Sequence, residues 1–335
     1  MAPPIKKTPL VLAGDIGGTR TRLGLFTEGK RRPRLRVMET FASREGSRLE
    51  DLIERFLEQH PFPVQRACFG VAGPVSRGCC RATNLPWEIS EKRIRRRFRW
   101  RGVRVMNDLA AAARAVPLLT AGETVRLNRG RAAKDGNVGL ICPGTGLGEA
   151  LLIRHGGGWI PVPSEGGHAD FFPASRTEAD LWAFLQARFG HVSIERVLSG
   201  PGIRNIYSWL RDSGRYREPA WLKRKLEGTD PARMIAETAL EKGQPLCRGT
   251  LERFAAVLGA VAGNLALTAM TTGGIYIGGG IPPKILPVLT QGKFMEAFTD
   301  KGRFRGLMER IPVRVILNER TALMGAAHGA FHPSS

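Results

Sequence analysis

Two glycine-rich turns, each set between short apolar strands, constrain the fold of this chain more than any other feature. The first is Gly14-Asp15-Ile16-Gly17-Gly18-Thr19, between an apolar run at 10–13 and an extended pattern at 22–26. The second is Gly144-Thr145-Gly146-Leu147-Gly148, between strands predicted at 138–141 and 150–153. Because this layout opens two runs of strands and helices, the sequence predicts a duplicated α/β architecture with a cleft between its halves.

The remaining hydrophobic periodicity predicts alternating helices and buried strands along the whole chain. Helices are predicted at 48–59, 109–116, 176–189, 202–212 and 251–271, and buried strands at 68–72, 103–106 and 275–277. Pro117 ends the helix predicted at 109–116, and the segment after it is the candidate domain boundary.

Both turns offer backbone N–H groups and a threonine hydroxyl to an anion, because paired glycines allow close approach. Each turn alone is equally typical of an ordinary hairpin, and neither is a Walker P-loop. Asp15 is a candidate Mg²⁺ ligand, directly or through water. Gly278-Gly279-Gly280 follows a predicted strand and precedes a helix predicted to start near Pro282, so it offers only backbone to a ligand.

Three further segments place polar side chains where chemistry is expected. Asn107-Asp108 lies between a predicted strand and a predicted helix. The pair is typical of a helix cap, and it also suits a general base at the carboxyl end of a strand. Glu165 and His168 flank two glycines in a loop and suit adjacent sugar hydroxyls, although a lone histidine is usually structural. Glu195 lies at a helix start, where a capping role is as reasonable as a binding role.

Composition limits the partners and the compartment. The net charge is +21, mostly from arginine, and the densest run, at 93–104, indicates either a solvated face or a surface for a polyanion. Five scattered cysteines, with no signal-peptide pattern, favour reduced thiols in the cytoplasm and no zinc site. The uncharged run 254–283 favours a buried helix followed by a strand over a membrane span.

Taken together, these segments resemble the bacterial glucokinases of the hexokinase–actin-like superfamily of sugar kinases. The resemblance covers nearly the whole chain and is carried by GDIGGTRTRLGLF (14–26), GVAGPV (70–75), TNLPW (83–87), ND (107–108), GTGLG (144–148), EGGHADF (165–171), SIERVLSGPGIRN (193–205), GNLAL (263–267) and GGIYIGGGIPP (273–283).

The resemblance implies an ATP- and Mg²⁺-dependent transfer of phosphate to the 6-hydroxyl of glucose, with Asp108 as the base. The implied sugar ligands are Asn84, Asn107, Asp108, Glu165, His168 and Glu195. The implied ATP-binding residues are Gly14, Asp15, Ile16, Gly17, Gly18, Thr19, Gly144, Thr145, Gly146, Gly278, Gly279 and Gly280. Asp15 would serve Mg²⁺, and a cytoplasmic homodimer with no membrane or specific nucleic-acid partner is expected.

The implied fold is a two-domain actin-like, ribonuclease H-like α/β fold with an interdomain cleft. The small domain would comprise 1–118 and 318–335, completed by a C-terminal helix near 321–331, and the large domain 119–317. Glu149 departs from the family pattern, and we expect it to face outward because a carboxylate would repel phosphates. The arginine excess keeps polyphosphate open as an alternative donor, and a non-catalytic sugar-binding regulator is the other alternative.

Overall fold

The computed structural model describes residues 10–82, 85–227 and 230–332, which group into two compact units. Unit 1 comprises the described residues up to Thr120, together with Trp159–Pro163 and the segment from Arg320 onward. Unit 2 comprises Ala121–Gly158 and the described part of Ser164–Glu319. Each unit has a sheet with helices packed against it.

Eight strands are described in unit 1 before Thr120: β1 (Leu10–Ile16), β2 (Arg20–Thr27), β3 (Arg34–Ala42), β4 (Val64–Val71), β5 (Val75–Ser76), β6 (Cys79–Arg81), β7 (Glu88–Ser90) and β8 (Gly102–Asn107). The main sheet has the strand order β3-β2-β1-β4-β8. β1 pairs antiparallel with β2 and parallel with β4, and β4 pairs parallel with β8. The strands β5, β6 and β7 form a separate small antiparallel sheet.

Unit 1 carries α1 (Leu49–Gln59), α2 (Glu91–Phe98), α3 (Asp108–Ala115) and, from the end of the chain, α12 (Thr321–Phe331). The alanine-rich α3 packs closely on α12. A side chain at Gly325 would overlap the backbone carbonyl of Ala111, so only glycine allows this approach. The contact holds α3, and with it the Asn107-Asp108 pair at its start, against the C-terminal helix.

In unit 2, β11 (Leu147–His155) pairs antiparallel with β10 (Val138–Pro143). β10 pairs parallel with β13 (Gly274–Ile277), which pairs parallel with β14 (Val313–Ile316). β9 (Thr124–Arg126) adds to β14 in antiparallel orientation. A further strand, β12, runs over Gly158–Ser164.

The helices of unit 2 surround one apolar core built mainly on α5 and α8. They are α4 (Arg176–Phe189), α5 (Gly200–Asp212), α6 (Ala220–Leu226), α7 (Pro231–Lys242), α8 (Pro245–Thr268), α9 (Leu286–Leu289), α10 (Lys293–Thr299) and α11 (Arg305–Arg310). α8 is long and apolar enough to cross a membrane, but 67% of its most apolar stretch is buried inside the fold. The prediction of a buried helix followed by a strand is therefore confirmed.

Three predicted boundaries were wrong. Gly14, Asp15 and Ile16 belong to β1, so the first turn is only 17–19. α8 begins at Pro245, because Gln244 caps it by accepting from the Cys247 N–H. No helix starts near Pro282; turns fill 281–285, and α9 begins at Leu286.

Candidate active site

The first glycine turn joins β1 to β2, and Ser43 holds it through hydrogen bonds. The Gly17 N–H donates to the Arg20 carbonyl (3.0 Å), while the Ser43 hydroxyl donates to the Gly17 carbonyl (2.7 Å). The Ser43 N–H also donates to the Thr19 carbonyl (3.0 Å). The turn thus has a fixed backbone and leaves Thr19 exposed. Gly14 has a packing role, because a Cβ there would lie 2.5 Å from the Phe69 ring.

Asp15 lies directly opposite Arg22 in the β1–β2 register and forms an ion pair with it (3.3 Å). Burial raises the pKa of the Asp15 carboxyl, and Arg22 opposes that rise. Among the described residues no three metal-ligating side chains converge. Asp15 is a single carboxylate that is already ion-paired with Arg22, so it fits a Mg²⁺ ion that takes its other ligands from water and nucleotide phosphates, as Mg²⁺ commonly does.

Asn107 and Asp108 lie where β8 ends and α3 begins. The Asn107 side-chain oxygen accepts from the N–H groups of Leu109 (2.9 Å) and Ala110 (3.1 Å), so Asn107 is the helix cap. Its amide also donates to the Gly73 carbonyl (3.2 Å). Asp108 accepts from the Leu109 N–H through one oxygen (2.9 Å), which orients its carboxylate. Asn84, the other sugar ligand predicted in this half, lies outside the described residues.

The second glycine turn, at 144–146, is bonded to Glu195. The Leu147 N–H donates to Glu195 Oε2 (2.8 Å), and a Cβ on Gly146 would overlap that same oxygen. The Gly144 carbonyl accepts from the Gly200 N–H (2.8 Å) at the start of α5. Glu195 therefore does not cap a helix; its carboxylate is held against the turn.

The loop that carries Glu165 and His168 packs on the same turn. A Cβ on Gly167 would overlap the Leu147 carbonyl, so the loop backbone lies directly against the first residue of β11, next to the turn. The Ala169 carbonyl accepts from the Ile194 N–H (2.9 Å), which connects the loop to the segment of Glu195. Glu165 and His168 are exposed and have no side-chain hydrogen bond within the described part of the chain. Their acceptor atoms are available to a ligand.

The prediction that Glu149 faces outward was wrong. It is buried (6% exposed), and its Oε2 occupies the space that a Cβ on Gly166 would need. Side chains along β11 point alternately to the two faces of the sheet. Gly148 and Glu149 therefore lie on opposite faces, and Glu149 lies beneath the loop that carries Glu165 and His168. Burial raises the pKa of the Glu149 carboxyl to about 7.

We expect Glu149→Gln to stabilise the protein above pH 7 and to leave its stability nearly unchanged near pH 4. The folded state holds the Glu149 proton more tightly than the unfolded state, whose pKa is 4.5, so stability falls as pH rises through this interval. The full loss is about 3 kcal/mol, and the neutral amide avoids it. Thermal unfolding across this pH range measures the difference; the exposed Glu309→Gln is the control and should show no such trend.

A cavity of about 620 Å³ lies in unit 2 beside the second turn. Gly144 and Thr145 line one side, and Gly280 and Lys284 line another. Gly278 and Gly279 do not line it. They pack on Cys142 and Pro143, where a Cβ would collide, and so hold the 278–280 turn against the 142–144 segment.

The cavity also contains residues that the sequence analysis missed. The first turns of α5 and α7 line it, with Arg204 and Pro231 among their residues. Arg204 and Lys284 are exposed and have no carboxylate partner among the described residues, and the charged residues Asp230 and Arg233 line the same cavity. A signal existed for Arg204, which lies within the SGPGIRN segment; Lys284 has none. Size and lining suit a nucleotide.

Comparison with known proteins identifies the family. The family model described as Glucokinase matches residues 12–332. A glucokinase of Synechocystis sp. is 38% identical over 341 aligned residues, covering 94% of this chain and 96% of the relative. The chain belongs to the glucokinase family. It is accordingly an enzyme, and phosphorylation of glucose is the reaction that this family and its curated members support.

Solved structures of glucokinases share the fold. A glucokinase from an Antarctic psychrotroph superimposes with a TM-score of 0.85 at 32% identity, covering 97% of this chain and 99% of that one. A ROK family glucokinase from Streptomyces griseus, in complex with glucose and AMPPNP, gives 0.67 at 22% identity, with coverages of 96% and 99%. The two-domain actin-like α/β fold expected from the resemblance is confirmed.

Proposed function

We propose that this glucokinase transfers the γ-phosphoryl group of ATP to the 6-hydroxyl of D-glucose, with Asp108 as the general base. The observation that carries the proposal is the bond between the Leu147 N–H and Glu195. It joins a turn suited to phosphates to a side chain suited to a sugar within one rigid assembly. A kinase must hold donor and acceptor in a fixed relation, because phosphoryl transfer depends on positioning and charge neutralisation.

The sugar-binding role of unit 2 rests on three acceptors of different exposure. Glu165 and His168 are open to a ligand, while one oxygen of Glu195 is already engaged by Leu147. The second Glu195 oxygen and the two open side chains would accept hydrogen bonds from glucose hydroxyls. An analogue without one of these hydroxyls leaves a desolvated acceptor unpaired, which is the physical basis of selectivity.

We assign the base role to Asp108 because its carboxylate is held in a fixed orientation at the start of α3. Its Oδ1 accepts from the Leu109 N–H, which fixes the rotation of the carboxylate. In the proposed reaction this carboxylate takes the proton of the 6-hydroxyl as that oxygen attacks the γ-phosphorus. Three hydrogen bonds immobilise the Asn107 side chain. It would bind a neighbouring hydroxyl only through the remaining hydrogen-bonding capacity of its amide group.

The cavity beside Gly144 would take the nucleoside part of ATP, and Lys284 and Arg204 would face its phosphates. The turns at 17–19 and 144–146 would contact phosphate oxygens through backbone N–H groups. Mg²⁺, when bound, neutralises charge that develops on the transferred group, and Asp15 would hold one of its waters. The expected homodimer and cytoplasmic location remain predictions from the family resemblance.

A donor panel tests the proposal. We expect the purified protein to form glucose 6-phosphate from glucose with ATP and Mg²⁺, detected with a coupled dehydrogenase, and to form far less with polyphosphate at matched phosphate concentration. Faster turnover with polyphosphate would replace ATP as the donor. Glucose binding without turnover on either donor would instead support the regulatory alternative.

A further inference from the structure

Gly70 is a glycine that the backbone of its strand does not require. It is buried in β4, between β1 and β8 in the main sheet of unit 1. Its φ does not lie in the positive range that favours glycine. Glycine within a strand weakens the strand, because it loses more conformational freedom on folding and has no side chain to pack. A close approach of neighbouring atoms is the usual physical reason to keep it.

The atoms around the missing side chain belong to the first turn of α3 and to β1. A Cβ on Gly70 would lie 3.0 Å from the Ala111 Cβ and 3.5 Å from the Asp108 Cα. The Gly14 carbonyl oxygen lies 3.7 Å from the same position. The first of these distances is too short for two carbon atoms, so a real side chain would displace its neighbour. Asp108 and Ala111 are three residues apart and therefore lie on the same face of α3, the face that rests on Gly70.

The same face of the sheet carries Asp15. Gly70 pairs with Asp15 in the parallel register of β1 and β4, so both residues point to one face. The apolar core supports this assignment, because Val11 and Ala13, which alternate with the opposite face as Asp15 does, pack in one cluster with Ala111. Adjacent strands lie about 4.8 Å apart. The empty position at Gly70 thus lies between the candidate Mg²⁺ ligand and the helix that carries the candidate base.

Helix α3 has little freedom to move away from Gly70. The Ala111 Cβ faces β4, while the Ala111 carbonyl lies against α12, where a Cβ on Gly325 would overlap it. The Cβ of a helical alanine cannot rotate away from a collision, because the backbone fixes its direction. A side chain at position 70 must therefore shift the backbone of α3, and this shift moves Asp108 as well.

We propose that Gly70 is a positioning residue for phosphoryl transfer. Its missing side chain lets α3 rest directly on β4 and so sets the place of the Asp108 carboxylate relative to Asp15. The inference rests on the proposed function, in which Asp108 is the base and Asp15 serves Mg²⁺. Gly70 acts only through Asp108, because the geometry of a reacting pair is sensitive to small displacements.

Gly70→Ala tests the proposal. We expect kcat for glucose phosphorylation to fall about tenfold, because α3 must move by a few tenths of an ångström and a displacement of about 1 Å can cost about 10²-fold. The glucose dissociation constant should change little, since Glu165, His168 and Glu195 belong to unit 2. Steady-state kinetics and calorimetric titration measure the two quantities, and near-ultraviolet circular dichroism gives the folded fraction to which kcat is referred.

Gly24→Ala is the matched control. A Cβ on Gly24, in β2 of the same sheet, would also lie 3.0 Å from its nearest neighbour, the Phe26 ring. Its other close contacts are the side chains of Leu35 and Leu323, which do not belong to α3. This variant should keep wild-type kcat whatever its unfolding temperature. A loss of kcat equal to that of Gly70→Ala would overturn the proposal, since altered packing anywhere in unit 1 would then have the same effect.

Ala111→Gly should rescue the substitution. Combined with Gly70→Ala it removes the methyl group that the new side chain meets, and the remaining neighbours lie at ordinary contact distances. We expect kcat to return to near the wild-type value, while the unfolding temperature stays below it because glycine weakens α3. A purely structural glycine would not give recovery of turnover without recovery of stability. If Gly70→Ala alone folds too poorly for kinetics, a folded double variant with low kcat would refute the proposal.

Asp108→Asn, measured alongside, separates this inference from the proposed function. Wild-type kcat in Asp108→Asn would remove Asp108 from the base role, and the proposed function would fail together with the inference. Low kcat in Asp108→Asn with wild-type kcat in a folded Gly70→Ala would overturn the inference alone and leave the proposed function in place.

Discussion

Asp108→Asn is expected to reduce kcat for glucose phosphorylation by about 10² to 10⁴ while changing the glucose dissociation constant little. The amide oxygen of asparagine can still accept from the Leu109 N–H, so the start of α3 stays capped. What is lost is the group that takes the proton of the attacking hydroxyl, and general-base catalysis contributes a factor of this size. Steady-state kinetics and calorimetric titration with glucose measure the two quantities.

Asp108→Ala provides the comparison. It removes both the base and the hydrogen bond to Leu109, so it should show the same loss of kcat together with a lower unfolding temperature. A variant that keeps near-wild-type kcat would remove Asp108 from the base role, whatever its effect on stability. Lost glucose binding in Asp108→Asn would instead assign Asp108 to sugar binding.

Gly146→Ala is expected to lower kcat/KM for glucose by about 10- to 100-fold, mainly through KM. The new methyl group would occupy the position of Glu195 Oε2, and because a glutamate side chain can rotate, the carboxylate moves and the backbone stays. The substitution removes a charge-assisted hydrogen bond and changes the orientation of a sugar ligand, which costs roughly 1.5–3 kcal/mol of interaction free energy. The unfolding temperature should also fall, because the Leu147 N–H loses its acceptor in the folded protein.

The chain offers two controls for this substitution. A Cβ at Gly144 meets nothing within 4 Å, so Gly144→Ala should leave KM for glucose unchanged and affect only the donor, whose proposed site it lines. Gly306→Ala, equally unobstructed and on α11, should change neither constant. If Gly146→Ala raised KM for ATP and not for glucose, Glu195 would not be a sugar ligand.

The helices and strands that the sequence predicted have the predicted type because hydrophobic periodicity and caps are local properties. The helix predicted at 176–189 is observed as α4, and its cap is local: the Glu178 N–H donates to the Ser175 hydroxyl (3.2 Å). The limits of β1 were not predictable in the same way. Gly14 and Asp15 favour a turn by propensity, but pairing with β2 and β4 and the close approach of Phe69 extend the strand through them.

Within the candidate site, the sequence identified side-chain types and missed their surroundings. Glu149 was predicted to face outward from charge repulsion alone, whereas its burial depends on the strand register and on the space left by Gly166. Lys284 and the first turn of α7 enter the cavity because segments distant in sequence meet in unit 2. Such long-range contacts leave no periodic trace in a single sequence.

Leu147 has a consequence for how the two substrates influence each other. Its N–H holds Glu195, and its carbonyl lies against Gly167 of the loop that carries Glu165 and His168. Any displacement of the turn on donor binding must therefore alter the energy of the sugar ligands. Thermodynamic linkage then requires reciprocity: if a non-hydrolysable nucleotide tightens glucose binding by some factor, glucose must tighten nucleotide binding by the same factor.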